Sequence, residues 1–279
     1  MRATSSGGLF GWSYRRAAAA EMACVGVPAD FGNVVAPGAR FAPQRIRSAS
    51  RALPEPAVRG VDHGDIACCP NDSLRDIIAR TALAVGEILD LNARPILIGG
   101  DHSISLAAIQ ACQEREEITV VWVDAHTDFS RLEPETAPNH KQVLRRVSQL
   151  PGVHQIVQIG HRSFTPFDER HLSEKLTVLP ARRVRDDPRC VLATVAPARR
   201  CYVSIDIDVV DPNWAPGTST PVPGGLSPEQ LVEVLQSLGG ARRVAAIDLM
   251  EVNPVRDRAD NTCQIAAEIL RRTLCAALR

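Results

Sequence analysis

Residues 119–128 read Thr-Val-Val-Trp-Val-Asp-Ala-His-Thr-Asp, an apolar run that leads directly into a cluster of polar side chains. A short continuous apolar run is typical of a strand that is buried on both faces of a parallel sheet. The stretch therefore predicts a buried strand, Thr119–Val123, with a functional loop after it. Similar runs predict further strands at Met22–Val27, Pro95–Ile98, Gln155–Ile159, Cys201–Ile205 and Val244–Leu249.

Helical patterns separate most of these strands. The predicted helices are Pro43–Ala52, Ser73–Leu91, Ile104–Cys112, Gln142–Ser148, Pro228–Ser237 and Cys263–Leu278. Ser73 is a predicted N-cap, and Ser227-Pro228 supplies a cap and a first turn for a later helix. Buried strands that alternate with helices predict an α/β fold with three α/β/α layers and a mostly parallel central sheet. We expect one domain over residues 21–279, preceded by a flexible N-terminal extension over residues 1–20.

Composition argues against several classes of protein. The 279 residues contain 32 Lys plus Arg and 32 Asp plus Glu, so the formal net charge is zero. A neutral total argues against a nucleic-acid binder and against a polybasic membrane clamp. No apolar stretch approaches the roughly 20 residues of a membrane span. The eight cysteines are too sparse for a disulfide scaffold, which favours reduced thiols in a cytoplasmic protein.

Polar motifs follow four of the predicted strands. They are Gly99-Gly100-Asp101-His102-Ser103, Asp124-Ala125-His126-Thr127-Asp128, Asp206-Ile207-Asp208-Val209-Val210-Asp211 and Met250-Glu251-Val252-Asn253-Pro254. In open α/β sheets, ligands bind outside the carboxyl ends of the strands. We therefore expect the four motifs to lie at one face of the protein.

The spacing within these motifs favours a metal site. Asp124, His126 and Asp128 stand at positions i, i+2 and i+4, so they project to one side as the chain leaves the strand. Asp206 and Asp208 have the same relation. Imidazole and carboxylate without thiolate suit divalent ions such as Mn²⁺. Together with the histidine of the Gly-Gly-Asp-His-Ser motif, they are too many ligands for one catalytic zinc. They suit two ions that share bridging carboxylates and a water.

Three of the motifs together resemble the signatures of the ureohydrolase family, which includes arginase and agmatinase. They are Gly100-Asp101-His102-Ser103, Asp124-Ala125-His126-Thr127-Asp128 and Ser204-Ile205-Asp206-Ile207-Asp208-Val209-Val210-Asp211-Pro212. Residues 217–226 and 248–254 are similar to later family segments, and residues 26–28, 37–40 and 43–47 resemble the N-terminal region of agmatinases. The resemblance covers about Ala23 to Leu278. It implies an arginase-like fold, two Mn²⁺ per chain and a homo-oligomer, either a trimer or a hexamer.

The resemblance also implies which residues bind each metal ion. His102 and Asp128 would bind one Mn²⁺, His126 and Asp208 would bind the other, and Asp124 and Asp206 would bridge both. These six residues are the ones whose types and spacing independently favour a binuclear site.

Three further residues receive roles from the resemblance. Glu251 matches a glutamate that orients the guanidinium group, and Thr220 matches a threonine near the substrate. His140 matches a histidine that shuttles protons, although Lys141 follows it where the family usually has glycine. The implied catalytic residues are therefore Asp128, His140 and Glu251. The implied substrate-binding residues are Glu251, Thr220 and His140.

Together, these residues predict a hydrolytic reaction. The four positive charges of two Mn²⁺ balance the four aspartate ligands, so a bridging hydroxide and Glu251 leave the pocket slightly negative. Such a pocket accepts a guanidinium cation. The metals lower the pKa of the bridging water, and the resulting hydroxide attacks the guanidinium carbon. Asp128 passes a proton to the leaving amine, and the products are urea and an amine.

The tail of the guanidino substrate is left open. The loop after Asp128 offers Glu133 and Glu135 to an amine tail, as in agmatine, and Arg131 and Lys141 to a carboxylate tail, as in guanidinobutyrate. The agmatinase-like N-terminal region favours agmatine, and we expect L-arginine to be a poor substrate. The alternatives are hydrolysis of guanidinobutyrate, guanidinopropionate or arginine, a formimino-type hydrolase that releases formamide, and a catalytically silent regulatory relative.

Overall fold

A parallel sheet forms the centre of the computed structural model, which describes residues 7–14, 20–33, 36–132, 139–163, 173–195, 200–238 and 244–276. Within these ranges the strands are β1 (Met22–Val27), β2 (Gly60–Asp65), β3 (Arg94–Gly99), β4 (Ile118–Val123), β5 (Val153–His161), β6 (Leu176–Pro180), β7 (Arg200–Asp206) and β8 (Val244–Met250). Their order across the sheet is β2-β1-β3-β8-β7-β4-β5-β6, and every neighbouring pair is parallel. The predicted α/β class and central parallel sheet are confirmed.

Helices cover both faces of the sheet. They are α1 (Ala42–Ser50), α2 (Leu74–Asp90), α3 (Ser105–Gln113), α4 (Val143–Ser148), α5 (Ala181–Asp186), α6 (Arg189–Thr194), α7 (Pro228–Ser237) and α8 (Asn261–Ala276). Helices α2, α3 and α4 contribute to one apolar core, and α1, α5, α6, α7 and α8 contribute to the other. Successive side chains of β3 alternate between the two cores, because Ile96 and Ile98 face one and Leu97 faces the other. The protein therefore has the predicted three layers.

The two edge strands were not predicted from the sequence. Strand β2 contains Gly60, Asp62, His63, Gly64 and Asp65, and it does not read as an apolar run. Edge strands need burial on fewer sides, so hydrophobic patterning marks them weakly. Within β2, the polar Asp62 is buried because the guanidinium of Arg47 pairs with it at 2.8 Å.

Part of the N-terminal segment packs against the domain. Leu9, Phe10 and Trp12 are buried, and the Leu9 amide donates to Asp62 Oδ2 at 2.7 Å. The Phe10 amide donates to Ser50 Oγ at 2.8 Å. Residues 7–14 of the expected flexible extension over residues 1–20 thus pack against β2 and α1. Residues 1–6 and 15–19 lie outside the described residues.

Two predicted helix starts are confirmed by their hydrogen bonds. The Ser73 side chain accepts a hydrogen bond from the Asp76 amide, and the Asp76 carboxylate accepts one from the Ser73 amide. The Ser227 side chain forms the same reciprocal arrangement with Gln230, with Pro228 in the first turn of α7. Such capping boxes satisfy amides that have no partner inside the helix. Local sequence signals therefore set these two boundaries.

Two further observations concern the state of the cysteines and the length and polarity of the helices. None of the eight cysteines forms a disulfide, and Cys24, Cys112, Cys190, Cys201 and Cys263 are buried. Among the described residues, no helix has both the length and the apolar character needed to cross a membrane.

Candidate metal centre and active site

The four polar motifs lie at the ends of four adjacent strands. Strands β3, β8, β7 and β4 occupy neighbouring positions in the middle of the sheet. Because all of the strands are parallel, their carboxyl ends lie at one edge of the sheet. His102 follows β3, Glu251 follows β8, Asp206 ends β7 and Asp124 follows β4. The fold therefore gathers motifs that are up to 149 residues apart in the chain.

The first cluster forms around His102. The Nδ1 atom of His102 lies 3.1 Å from Asp124 Oδ2 and 3.3 Å from Asp206 Oδ2. Asp128 Oδ2 is 3.6 Å from the same nitrogen. His102, Asp124 and Asp206 offer ligand atoms close enough to hold one metal ion.

The second cluster forms around His126 and shares Asp124 with the first. The Nδ1 atom of His126 lies 2.8 Å from Asp208 Oδ2 and 3.5 Å from Asp124 Oδ1. The two oxygens of Asp124 thus face different histidines. This arrangement suits a carboxylate that bridges two ions.

Both clusters fit divalent cations. The His102 Nδ1 atom is buried and makes no hydrogen bond of good geometry, although it faces three carboxylates. Burial, followed by the charges of Asp208 and Asp124, raises the pKa of Asp206 well above its usual range. Burial and the Asp124 charge raise the pKa of Asp128 in the same way. A cation between these groups would give the nitrogen a partner and offset the crowding of negative charge.

The backbone directs two of the candidate site residues. Asp128 and Glu251 have φ angles of 50° and 62°, in the left-handed region that non-glycine residues rarely adopt. The Glu251 amide donates to Gly100 O at 2.9 Å, which holds the turn after β8 against the turn after β3. A Cβ atom at Gly100 would overlap the carbonyl oxygen of Ala29. Glycine is therefore required where the turn after β3 approaches the loop after β1.

Glu251 is held by two donors. The backbone amide of His102 donates to Oε1 at 2.9 Å, and the Asn33 side chain donates to Oε2 at 2.7 Å. Burial, followed by the charge of Asp101, raises the pKa of Glu251 to about 8. Asp101 supports the same region, since it accepts hydrogen bonds from the amides of Ser103 and Gly32. The carboxylate of Glu251 thus has a fixed orientation beside the metal clusters.

A buried chain of hydrogen bonds fixes the ring of His102. Its Nε2 atom lies 2.8 Å from Ser204 Oγ, and Ser204 donates to Asp248 Oδ1 at 2.7 Å. Tyr202 donates to the other oxygen of Asp248 at 2.6 Å, and the ring of Trp122 stacks on His102 with centroids 3.9 Å apart. With Ser204 donating to Asp248, its hydroxyl oxygen accepts a hydrogen bond from the Nε2–H group of His102. The lone pair of His102 is then on Nδ1, where a metal would bind.

We predict that Ser204→Ala weakens metal binding without removing a ligand. The substitution leaves His102 Nε2 without a hydrogen-bond acceptor. The tautomer and the orientation of the ring are then no longer fixed by this bond. Loss of such a supporting group typically costs about 10–100-fold in metal affinity. Competition with a chelator of known affinity measures the change, and Ser237→Ala, in which a half-buried hydroxyl at the end of α7 is removed, is the matched control. An unchanged affinity in Ser204→Ala would contradict this role.

A cavity of about 230 Å³ opens beside the clusters. It is lined by His126, Thr127, Asp128, Ser130, His140, Lys141, Asp206, Thr220 and Glu251. Thr220 Oγ1 lies 3.4 Å from Asp208 Oδ2, which places this hydroxyl at the second cluster. The structure therefore brings the predicted substrate-binding residues Thr220, His140 and Glu251 into one cavity.

His140 lies at the wall of the cavity beside the loop that follows β1. A Cβ atom at Gly32 would overlap His140 Nδ1, so this imidazole requires the absence of a side chain at Gly32. The His140 Nδ1 atom is buried and has no hydrogen-bond partner in the described structure. Glu133 and Glu135, expected near a substrate tail, lie outside the described residues.

Several residues that shape the site were not predicted from the sequence. They are Asn33, Trp122, Arg162 and Ser204, which support the site residues. The Arg162 guanidinium donates to the carbonyl oxygens of Asp208 at 2.6 Å and Val222 at 2.8 Å, which ties the ligand loop to the segment that carries Thr220. No local pattern marks Asn33 and Arg162, because their partners are distant in the chain. Ser204 and Trp122 carried a usable signal, since each precedes the first aspartate of a site motif by two residues along its strand.

The sheet and its paired His/Asp clusters define an α/β protein with a candidate binuclear metal centre at the ends of its central strands. The family follows from comparison with known proteins. A family model described as the arginase family matches residues 20–276. The chain belongs to the arginase family, and the resemblance predicted from its motifs is confirmed.

Individual relatives differ in the substrates that their names give. The chain is 32% identical over 280 residues to a mitochondrial guanidino acid hydrolase of Homo sapiens, covering 92% of this chain and 78% of that protein. It is 32% identical over 270 residues to an agmatinase of Bacillus subtilis, covering 91% of each. The solved structure of proclavaminate amidino hydrolase from Streptomyces clavuligerus matches with a TM-score of 0.85 at 31% identity, covering 92% of each chain. The arginase-like fold is thus confirmed.

Proposed function

We propose that this chain is a binuclear manganese amidinohydrolase that cleaves a small guanidino compound to urea and an amine. As a member of the arginase family, it is a hydrolase of C–N bonds in guanidino compounds. The observation that supports the proposal most directly is the pair of His/Asp clusters that share Asp124. They adjoin a cavity that Glu251 also lines, so a metal site and a cation-binding carboxylate face the same space.

The proposed metal ligands are the six residues at the strand ends. His102 and Asp128 would hold one Mn²⁺, His126 and Asp208 would hold the other, and Asp124 and Asp206 would be shared by both. The membership of Asp124 in both clusters supports its bridging role. Imidazole nitrogens and carboxylate oxygens suit Mn²⁺. When bound, the two ions lower the pKa of a shared water toward neutrality, which makes hydroxide available at physiological pH.

Glu251 orients the guanidinium group in this proposal. Each of its oxygens already accepts one hydrogen bond, from His102 N and from Asn33 Nδ2, which fixes the plane of the carboxylate. Each oxygen retains a further lone pair. A guanidinium group can therefore pair with Glu251 through parallel, charge-assisted hydrogen bonds.

We predict that Glu251→Gln raises KM for guanidino substrates by about 10–100-fold, because hydrogen bonds to charged groups are worth about 1.5–3 kcal/mol. The amide also places an NH₂ group against His102 N or Asn33 Nδ2, which are both donors. Steady-state kinetics measure KM, and metal analysis should find the wild-type content. Glu229→Gln changes an exposed glutamate paired with Arg272 and is the matched control. Equal KM and turnover in Glu251→Gln and wild type would show that Glu251 does not face the substrate.

Asp128 and His140 handle protons in the proposed reaction. Both line the cavity. Asp128 takes up a proton and passes it to the leaving amine, which must be protonated to depart. In the proposal, the imidazole of His140 exchanges a proton with a group in the cavity that it lines.

The substrate tail has two candidates. The resemblance of the N-terminal region to agmatinases supports agmatine, which has an amine tail. A carboxylate tail, as in guanidinobutyrate or guanidinopropionate, is supported by Lys141, which lines the cavity. Neither candidate has the α-amino-acid head of arginine.

The proposed function is tested by assaying Mn²⁺-loaded protein for urea release from agmatine, L-arginine, guanidinobutyrate, guanidinopropionate and free guanidine. Urea from at least one of the tailed substrates is the expected result. Formamide release from a formimino compound without any urea would favour the formimino-type alternative, and neither product would favour a silent regulatory relative. A kcat/KM for L-arginine equal to or above those for agmatine and guanidinobutyrate would contradict the expected absence of an α-amino-acid head.

We also propose that the protein forms a homo-oligomer, a trimer or a hexamer. The support is the family resemblance of the chain. Light scattering coupled to size-exclusion chromatography measures the mass directly, and a monomer at micromolar concentration would contradict the proposal.

A further inference from the structure

Lys141 occupies a fixed position on the wall of the active-site cavity. It is the second residue of a short 3-10 helix, His140–Gln142. Its carbonyl oxygen accepts from the Ser130 amide at 2.8 Å, and the adjacent Gln142 side chain donates to Arg131 O at 2.8 Å. These bonds tie the helix to the chain segment that follows Asp128, so the backbone of Lys141 is held where its side chain lines the cavity.

The side chain of Lys141 is exposed, and among the described residues no carboxylate forms an ion pair with its ammonium group. The acidic residues lining the same cavity, Asp128, Asp206 and Glu251, belong to the proposed metal and guanidinium end of the site. Burial lowers the pKa of His140; the Asp101 charge opposes this shift, and the nearby Lys141 charge adds to it.

The residues that line the cavity thus include three carboxylates and one lysine. In the proposed function the carboxylates hold the metal ions and the guanidinium cation, which leaves the Lys141 ammonium for the tail of the substrate. A carboxylate at the far end of the substrate would pair with this ammonium, whereas a second amine, as in agmatine, would be repelled by it.

We infer that Lys141 is a specificity-determining residue that selects guanidino acids, substrates whose tail ends in a carboxylate, over amine-tailed guanidines. The inference rests on the proposed function, because it concerns the tail of the same substrate. It assigns a role to a residue that replaces the glycine usual after this histidine. Lys141 binds the tail and takes no part in the reaction at the guanidinium carbon.

The inference is tested with three substrates of matched length: 4-guanidinobutyrate, agmatine and N-butylguanidine, which has an uncharged tail. For wild-type protein we expect kcat/KM to be highest for 4-guanidinobutyrate and lowest for agmatine. Lys141→Met should lower kcat/KM for 4-guanidinobutyrate by about tenfold, mainly through KM, with little change for N-butylguanidine. Lys141→Glu should reverse the order of 4-guanidinobutyrate and agmatine.

Arg182→Glu is the matched control, because it makes the same change in net charge at a side chain that is 88% exposed on α5. It should leave the order of the three substrates unchanged. A wild-type preference for agmatine over 4-guanidinobutyrate would overturn the inference while leaving the proposed function intact. An unchanged substrate ratio in Lys141→Glu, as expected for a merely solvated lysine, would do the same. Absence of urea from all three substrates would instead overturn the proposed function, and the inference with it.

Discussion

Asp124→Ala is expected to remove both metal ions and to abolish urea release. Asp124 belongs to both clusters, with Oδ2 3.1 Å from His102 Nδ1 and Oδ1 3.5 Å from His126 Nδ1. Without this bridging carboxylate, two divalent ions in close proximity repel each other with less compensation. The metal content of purified protein, measured by elemental analysis, should fall from two ions per chain to none.

Asp206→Ala should give the same result, since Asp206 is the second proposed bridging ligand. Asp186→Ala removes an exposed carboxylate on α5 and should retain both ions. Circular dichroism is needed beside the metal analysis, because removal of a buried side chain can also lower stability. A fully active wild-type protein with one ion per chain would contradict the binuclear centre. A folded Asp124→Ala protein that keeps two ions would contradict the bridging role of Asp124.

His140→Ala is expected to lower turnover by about 10²–10⁴-fold, the usual contribution of a positioned acid–base group. Metal content should stay at the wild-type value, because His140 belongs to neither His/Asp cluster. Turnover at saturating substrate measures the effect and separates it from weaker binding. An unchanged turnover would show that His140 does not transfer protons.

Gly32→Ala provides an independent test of the position of His140. The added Cβ atom would overlap His140 Nδ1, so the imidazole must move while its chemistry is retained. We expect a fall in turnover in the same direction as for His140→Ala. His154→Ala is the control, because this histidine lies beside Thr119 at the opposite end of β4 from Asp124. Full activity in Gly32→Ala would contradict a requirement for the observed imidazole position.

Much of the interior of the fold could be predicted from apolar runs. The six predicted strands are all present, because each is buried on both faces and its composition is strongly apolar. Strand β2 escaped prediction because Gly60, Asp62 and Asp65 interrupt the apolar pattern at the edge of the sheet. Helices α5 and α6 contain six residues each, too short to give a clear helical period.

The residue types of the site could be predicted from the sequence, whereas the residues that hold them in place could be predicted less well. Asp124, His126 and Asp128 stand in one short motif directly after β4, so their proximity follows from their spacing in the sequence, whereas the left-handed φ of Asp128 does not. Asn33 binds Glu251 across 218 residues of sequence, and Ser204 reaches His102 across 102. Contacts of this kind depend on which strands become neighbours, and no local pattern encodes that choice.

The sequence by itself determined the alternation of strands and helices, the two capping boxes and the imidazole and carboxylate character of the strand ends. These are properties of hydrophobic periodicity and local hydrogen bonding, which act over a few residues. Only the tertiary structure decided that β3, β8, β7 and β4 lie side by side, that Asp124 faces both His102 and His126, and that Lys141 shares a cavity with Glu251. The order of strands in a parallel sheet depends on how all of the helices pack against both faces. The meeting of these side chains is therefore a property of the whole core.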